Sequence, residues 1–298
     1  MSEVFEKILE AESGYGAGDH FGAEGAQANG RIWNVFQKSA DVDPEIFIQY
    51  YKNPLLAVVS EAWLGPHFQV TAQVNIVRPG GKAQVSHRDY HLGFQQPDET
   101  VRYPLHTQQM SAMLTLQGAV AHTDMPLESG PTKLLPYSHL YPQGYVAYHQ
   151  KAFQDYFEQH CVQLPLEKGD AVFFNPALFH AAGENLTTDF HRCANLLQVS
   201  SAFGKPMETV DSAHICRKIY PSLSTQWHCA ALTDDEKATI ACVAADGYAF
   251  PTNLDTDPPI GGLAPESMEA LLVRALNEKM DSETFEIALA QLREKQRA

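Results

Sequence analysis

Phe68-Gln69-Val70-Thr71-Ala72-Gln73-Val74-Asn75-Ile76-Val77, closed by Pro79-Gly80-Gly81, is the stretch on which the fold class turns. Apolar and polar residues alternate partly with period two, as a strand requires to divide its side chains between two faces. Proline and glycine then break the pattern. Similar apolar runs follow at Met110 to Val120, Val162 to Leu166, Ala171 to Phe174 and Cys193 to Val199. Lys168-Gly169-Asp170 makes a tight turn between two of them. Short strands separated by turn signals predict an antiparallel sandwich or barrel, not alternating βαβ units. One helix, around Gln150 to His160, interrupts the series.

Outward from this block the pattern is helical on both sides. Residues 1 to about 66 read as helix and loop, with helix starts at Asp43-Pro44-Glu45 and Asn53-Pro54 and a stop at Gly65-Pro66. After Pro206 the chain turns helical again. Thr233-Asp234-Asp235-Glu236 fits a capping box opening a helix to about Ala245. Pro265 to Lys279 and Ser282 to Arg297 predict two more helices. Between them, Gly247 to Gly262 is a long Pro/Gly-rich loop, either functional or a wrap over the core.

The chain has 298 residues, enough for one large domain or two small ones. With 44% hydrophobic and 19% charged residues it is globular rather than disordered. Lys+Arg is 21 and Asp+Glu is 36, a net charge of −15, which argues against nucleic acid or an anionic membrane as partner. No run approaches the roughly 20 apolar residues of a bilayer span. The acidic N-terminus lacks the layout of a secretory signal. Five widely spaced cysteines without a Cys-x-x-Cys pair predict buried thiols in a reducing compartment, the cytoplasm.

Chemistry concentrates in His87-Arg88-Asp89. On a strand, residues i and i+2 face the same way, so an imidazole and a carboxylate converge. With His180 they would make a 2-His-1-carboxylate set, which leaves open positions on non-haem Fe(II); catalytic zinc can use similar ligands. His122-Thr123-Asp124 is a second copy, whose competing reading is a loop with Asp124 capping a turn. Arg192 follows His180 by twelve residues, with turn chemistry from Gly183 to Asp189 between them. A hairpin there would bring Arg192 beside His180, where a guanidinium grips a carboxylate. A rim salt bridge is the alternative.

Together these segments resemble the phytanoyl-CoA dioxygenase family of Fe(II)/2-oxoglutarate oxygenases. The likeness is carried by Asn53 to Pro66, by Ser86 to Phe94, by Glu128 to His139, and by Gly169-Asp170 through His180, Gly183, Asn185 and Arg192. Ser129 stands where the family has Asn, and Tyr137 where its Pro-Gly-Ser-His segment has Gly. The resemblance implies a mainly β fold with flanking helices: a double-stranded β-helix, or cupin-like jelly roll, over residues 67–205. An N-terminal helical segment (1–66) and a C-terminal helical extension (206–298) would complete a single oxygenase domain. It further implies that His87, Asp89 and His180 hold Fe(II) and that Arg192 binds the distal carboxylate of 2-oxoglutarate. Thr132 matches a cosubstrate-bonding position, and Gln73 is a weaker candidate whose alternative is an outward polar residue. Asp89 disfavours halogenation, because related halogenases have Gly or Ala there. The expected reaction consumes O2, hydroxylates a small molecule, and releases succinate and CO2. Tyr90, His91, Phe94 and Tyr103 are candidate pocket residues. Rival readings are a non-catalytic cupin-like binding or sensing protein and a cupin-type metal-dependent isomerase or hydrolase.

Overall fold

A computed structural model describes residues 1–12, 29–229, 231–259, 261 and 263–297. The chain opens with α1 (Ser2–Ala11), β1 (Asn29–Ile32), α2 (Val35–Val42), α3 (Pro44–Tyr51) and α4 (Pro54–Leu64). The middle carries β2 (Gln69–Val77), α5 (Pro97–Thr100), α6 (Leu105–Met113), β3 (Thr115–Ala121), β4 (Lys133–Leu134), α7 (Gly144–Ala147) and α8 (Lys151–His160). Then come β5 (Val162–Gln163), β6 (Ala171–Phe174), β7 (His180–Ala181) and β8 (Arg192–Ser200). The chain closes with α9 (Ser212–Trp227), α10 (Asp234–Ala244), α11 (Met268–Asn277) and α12 (Ser282–Gln296).

The strands form two antiparallel sheets, ordered β1-β2-β8-β3-β6 and β5-β4-β7. Period two on β2 sorts its side chains. Val70, Ala72 and Val74 enter the main apolar core with Leu197 and Val199 of β8. That core also holds Phe36 and Phe47 from the N-terminal helices and Ile219, Leu223 and Leu272 from the C-terminal ones. The opposite face carries Gln73 and Asn75, both buried yet polar, and it looks into a cavity.

Asp43 and Asn53 each accept a backbone N–H ahead of a first-turn proline, so both predicted helix starts stand. The capping box of Thr233 and Glu236 is present in full. Several expectations are corrected. More described residues lie in helix than in strand, so the chain is not mainly β. The expected strand from Met110 begins only at Thr115; Pro104 opens a helix whose Met and Ala residues are good helix formers. The run Val162 to Leu166 is strand for two residues only, because Pro165 removes a ladder donor. His180 and Arg192 do not share a hairpin: β7 and β8 belong to different sheets. The Asn185 side chain donates to the Val77 and Phe190 carbonyls and carries the connection across. The 247–262 loop is irregular where described; residues 260 and 262 of that expectation, and 13–28 of the N-terminal one, lie outside the described residues.

Candidate metal centre

His87 and His180 face each other in an isolated antiparallel bridge, each N–H donating to the other's carbonyl at 3.0 and 3.1 Å. Opposed residues project to the same side, and the two rings lie 4.5 Å apart. Each Nδ1–H donates to the carbonyl two residues upstream, His87 to Val85 and His180 to Leu178, both at 2.8 Å. A carbonyl only accepts, so Nδ1 holds the proton and Nε2 keeps its lone pair. The lone pairs are aimed at Asp89. His180 Nε2 is 3.3 Å from its Oδ2, and His87 Nε2 is 3.6 Å from its Oδ1.

All three residues are buried, and their ligand atoms lie within 4.8 Å of one another. Three lone-pair donors facing one point call for a cation among them. Two imidazoles and one carboxylate are a fitting set for Fe(II). Burial alone would push the Asp89 carboxyl up. The positive imidazolium forms of His87 and His180, with the Gln117 amide donating to Oδ2, outweigh it and hold Asp89 well below the usual carboxylate range. Arg88, between the two, faces away. Its guanidinium donates to the carbonyls of Ser138 (2.6 Å) and Tyr141 (3.0 Å) and anchors the segment from behind.

The triad forms part of the wall of a partly open cavity. Gln73, Thr132 and Arg192 line the same cavity. Arg192 is 4% exposed. Its guanidinium donates to the Gly130 carbonyl and to Asn75 Oδ1, the latter at 3.0 Å, so a rim salt bridge is not its role. Gln73, 3% exposed, points inward and accepts from Arg31 at 3.2 Å.

Arg31 is the residue sequence reasoning missed. It sits on β1, is buried, lines the cavity, and lies 5.0 Å from the Trp33 ring. Its register partner is Asn75, one face of the sheet with Arg192's acceptor. The sequence carried no signal for it, since it lies in a segment read as helix and loop and its burial follows only from the packing. Among the pocket candidates, Phe94 lines the cavity. Tyr90 is fully buried with its hydroxyl accepting from Ser200, His91 is bonded to Ser111 and Lys205, and Tyr103 is exposed. His122 is outside the triad: Ser2 and Tyr50 hold its two nitrogens at 2.9 Å each, and Asp124 caps the turn at Lys168.

A 2-His-1-carboxylate cluster on an antiparallel scaffold, beside buried arginines, defines the class of facial-triad metalloproteins. Within it, the sequence model of the phytanoyl-CoA dioxygenase (PhyH) family matches residues 1–193, and the chain belongs to that family. The family's cofactor is Fe(II), with 2-oxoglutarate and O2 as cosubstrates. Similar curated proteins are the dioxygenase cdmD of Talaromyces verruculosus, 31% identical over 160 residues, and the dioxygenase trt7 of Aspergillus terreus (strain NIH 2624 / FGSC A1156), 30% identical over 132. These matches cover 54% and 43% of this chain and 47% and 39% of those proteins, so the chain spans about half the length of the curated relatives it matches. Among solved structures, the non-heme alpha ketoglutarate dependent carbocyclase SnoK from nogalamycin biosynthesis shares the fold. Its TM-score is 0.50 at 20% identity, covering 72% of this chain and 79% of that one. The epimerase SnoN from the same biosynthesis gives 0.48 at 20% identity, covering 67% and 74%. No described helix is long and apolar enough to cross a membrane.

Proposed function

We propose that the chain is a 2-oxoglutarate-dependent non-haem iron dioxygenase that hydroxylates a small molecule, with release of succinate and CO2. The observation that carries this reading is the convergence of His87, Asp89 and His180 on the wall of a cavity that also holds two buried arginines. In this reading those three side chains hold Fe(II). Iron and 2-oxoglutarate, when bound, supply the oxidising power that breaks a C–H bond. Everything else falls to the chain. The carbonyls of Val85 and Leu178 fix the imidazole tautomers, so that in the neutral ring Nε2 is the nitrogen offered to a metal. Gln117 steadies the Asp89 carboxylate. Gly130 and Asn75 hold Arg192 in place to receive the distal carboxylate of 2-oxoglutarate. Arg31, Gln73 and Thr132 complete that end, while Phe174 and Leu196 keep the cavity wall apolar.

The same reading takes the strands of 67–205, with β1 added at the edge of the larger sheet, as a double-stranded β-helix. The helical segments 1–66 and 206–298 close it into a single oxygenase domain, consistent with their shared core. It places the enzyme in the cytoplasm, where its unpaired cysteines stay reduced. Mixing the protein with Fe(II) and 2-oxoglutarate without air tests the reading: a weak visible charge-transfer band is expected. Arg192→Ala should raise the 2-oxoglutarate concentration needed for that band at least tenfold. Absence of the band in folded wild type, or an unchanged affinity in the variant, refutes the assignment.

A further inference from the structure

Gln117 of β3 and Gln198 of β8 are direct register partners, so their side chains share one face of the sheet. Both line the cavity beside the triad, and they are 5% and 2% exposed. Among the described residues, each has a buried amide oxygen with no hydrogen-bond partner. The Gln117 amide cannot turn to escape this. Its Nε2 donates to Asp89 Oδ2, a carboxylate that only accepts, so Oε1 is held toward another partner. A buried acceptor left unmade is costly, so such a pair calls for a donor.

The cosubstrates do not supply one. 2-Oxoglutarate is a dianion at neutral pH whose oxygens only accept; its natural partners here are the guanidinium groups. O2 carries no hydrogen. The acceptors are therefore surplus to the cosubstrate, while Trp33, Phe94, Phe174 and Met207 give the remaining wall an apolar character.

The geometry points to a substrate subsite at Gln117 and Gln198 that selects a compact apolar molecule bearing a hydroxyl or N–H group. That donor bonds the Gln198 amide oxygen, and the Gln117 oxygen beside it, both of which lack a partner among the described residues. This rests on the dioxygenase reading for the location of the reacting centre. Gln117 links the metal-binding carboxylate to this subsite, and Gln198 sets the preference for a donor. A site built around such a bond rejects an analogue lacking the donor more strongly than one differing by a methylene.

Three probes of similar size separate the possibilities: cyclohexanol, cyclohexyl methyl ether and methylcyclohexane. Their dissociation constants are measured by ligand-observed NMR on protein loaded anaerobically with Fe(II) and 2-oxoglutarate. Cyclohexanol is expected to bind at least tenfold tighter than either analogue. Gln198→Met, close in shape but without the acceptor, should reduce that advantage to less than threefold. Gln198→Glu, which retains an acceptor, should restore it. Equal binding of alcohol and ether to wild type overturns the subsite, as does an unchanged preference in Gln198→Met. The charge-transfer band of the same wild-type sample reports on the dioxygenase reading separately. A sample that shows the band yet does not prefer the alcohol refutes this inference alone.

Discussion

At position 137 the backbone adopts φ 63° and ψ −2°, a left-handed conformation, and the tyrosine side chain is 77% exposed. The related family segment has Gly here, and the reason is visible in that angle: a Cβ costs roughly 1–2 kcal/mol in this region. Glycine gives back part of the gain through its looser unfolded chain. Tyr137→Gly is therefore expected to stabilise by about 0.5–1 kcal/mol, and Tyr137→Val to destabilise, read from urea denaturation. A second residue-scale prediction concerns His122. Burial, with the N-terminal amine and Lys168 nearby, brings its folded pKa down to about 4. The unfolded chain titrates near ~6.5 and so binds more protons between these values. The contribution of the neutral ring is complete above about pH 6.5 and is lost as pH falls toward 4, on the order of 3 kcal/mol in all. His122→Gln should flatten the stability slope between pH 6.5 and 4.5 relative to wild type. At this scale the candidate triad was legible through the family resemblance, which separated His87-Arg88-Asp89 from the second copy at His122-Thr123-Asp124. Arg31 and the facing of Gln73 were not, because the side to which a strand residue points is decided by what packs on each face.

Between elements, the decisive contact is the crossing of Gly130 and Gly183. Gly130 has φ 73°, its carbonyl accepts the Gly183 N–H at 3.1 Å, and the same carbonyl accepts from Arg192. A Cβ at 130 would meet the Glu184 carbonyl oxygen at 2.4 Å and Gly183 backbone at 2.5 Å. Gly130→Ala is thus expected to cost about 3 kcal/mol from backbone strain and overpacking together. It should also weaken 2-oxoglutarate binding, since the acceptor that seats Arg192 must move. Urea midpoints and anaerobic cosubstrate titration check the two effects. This crossing also explains why β7 and β8 could not be assigned from spacing. Turn residues from 183 to 189 suit a hairpin, but Asn185 bonds back to Val77 and directs the chain to the other sheet. The helices at Pro44, Pro54 and Asp234 were legible because their caps are local. Helix α9 falls in the segment read as helical after Pro206 but was given no bounds of its own: Pro221 stands inside it, where a helix pattern is normally broken.

For the molecule as a whole, the helices on either side of the β block pack into one apolar core against the back of the large sheet, while the front of that sheet is polar and faces the cavity. Stability and site chemistry are thus assigned to opposite faces of the same strands. The front also holds the buried triad, a group that could hold a metal ion, and the paired glutamine oxygens, which lack a hydrogen-bond partner among the described residues. Ligands that pair those groups bind only the folded form, and so must raise its stability by mass action. At a hundredfold excess over the dissociation constant the gain is about 2.7 kcal/mol, which for a chain of this size is a melting-temperature rise of roughly 5 °C. Mn(II), which does not start turnover, is the suitable probe. Mn(II) alone should raise Tm, and 2-oxoglutarate should add a second increment only once the metal is present, because its chelating end needs the ion. Arg192→Ala should keep the first increment and lose most of the second. His180→Ala should lose both, since it removes a metal ligand on which the second depends. An equal second increment in Arg192→Ala, or a metal increment that survives His180→Ala, would place the binding elsewhere in the molecule.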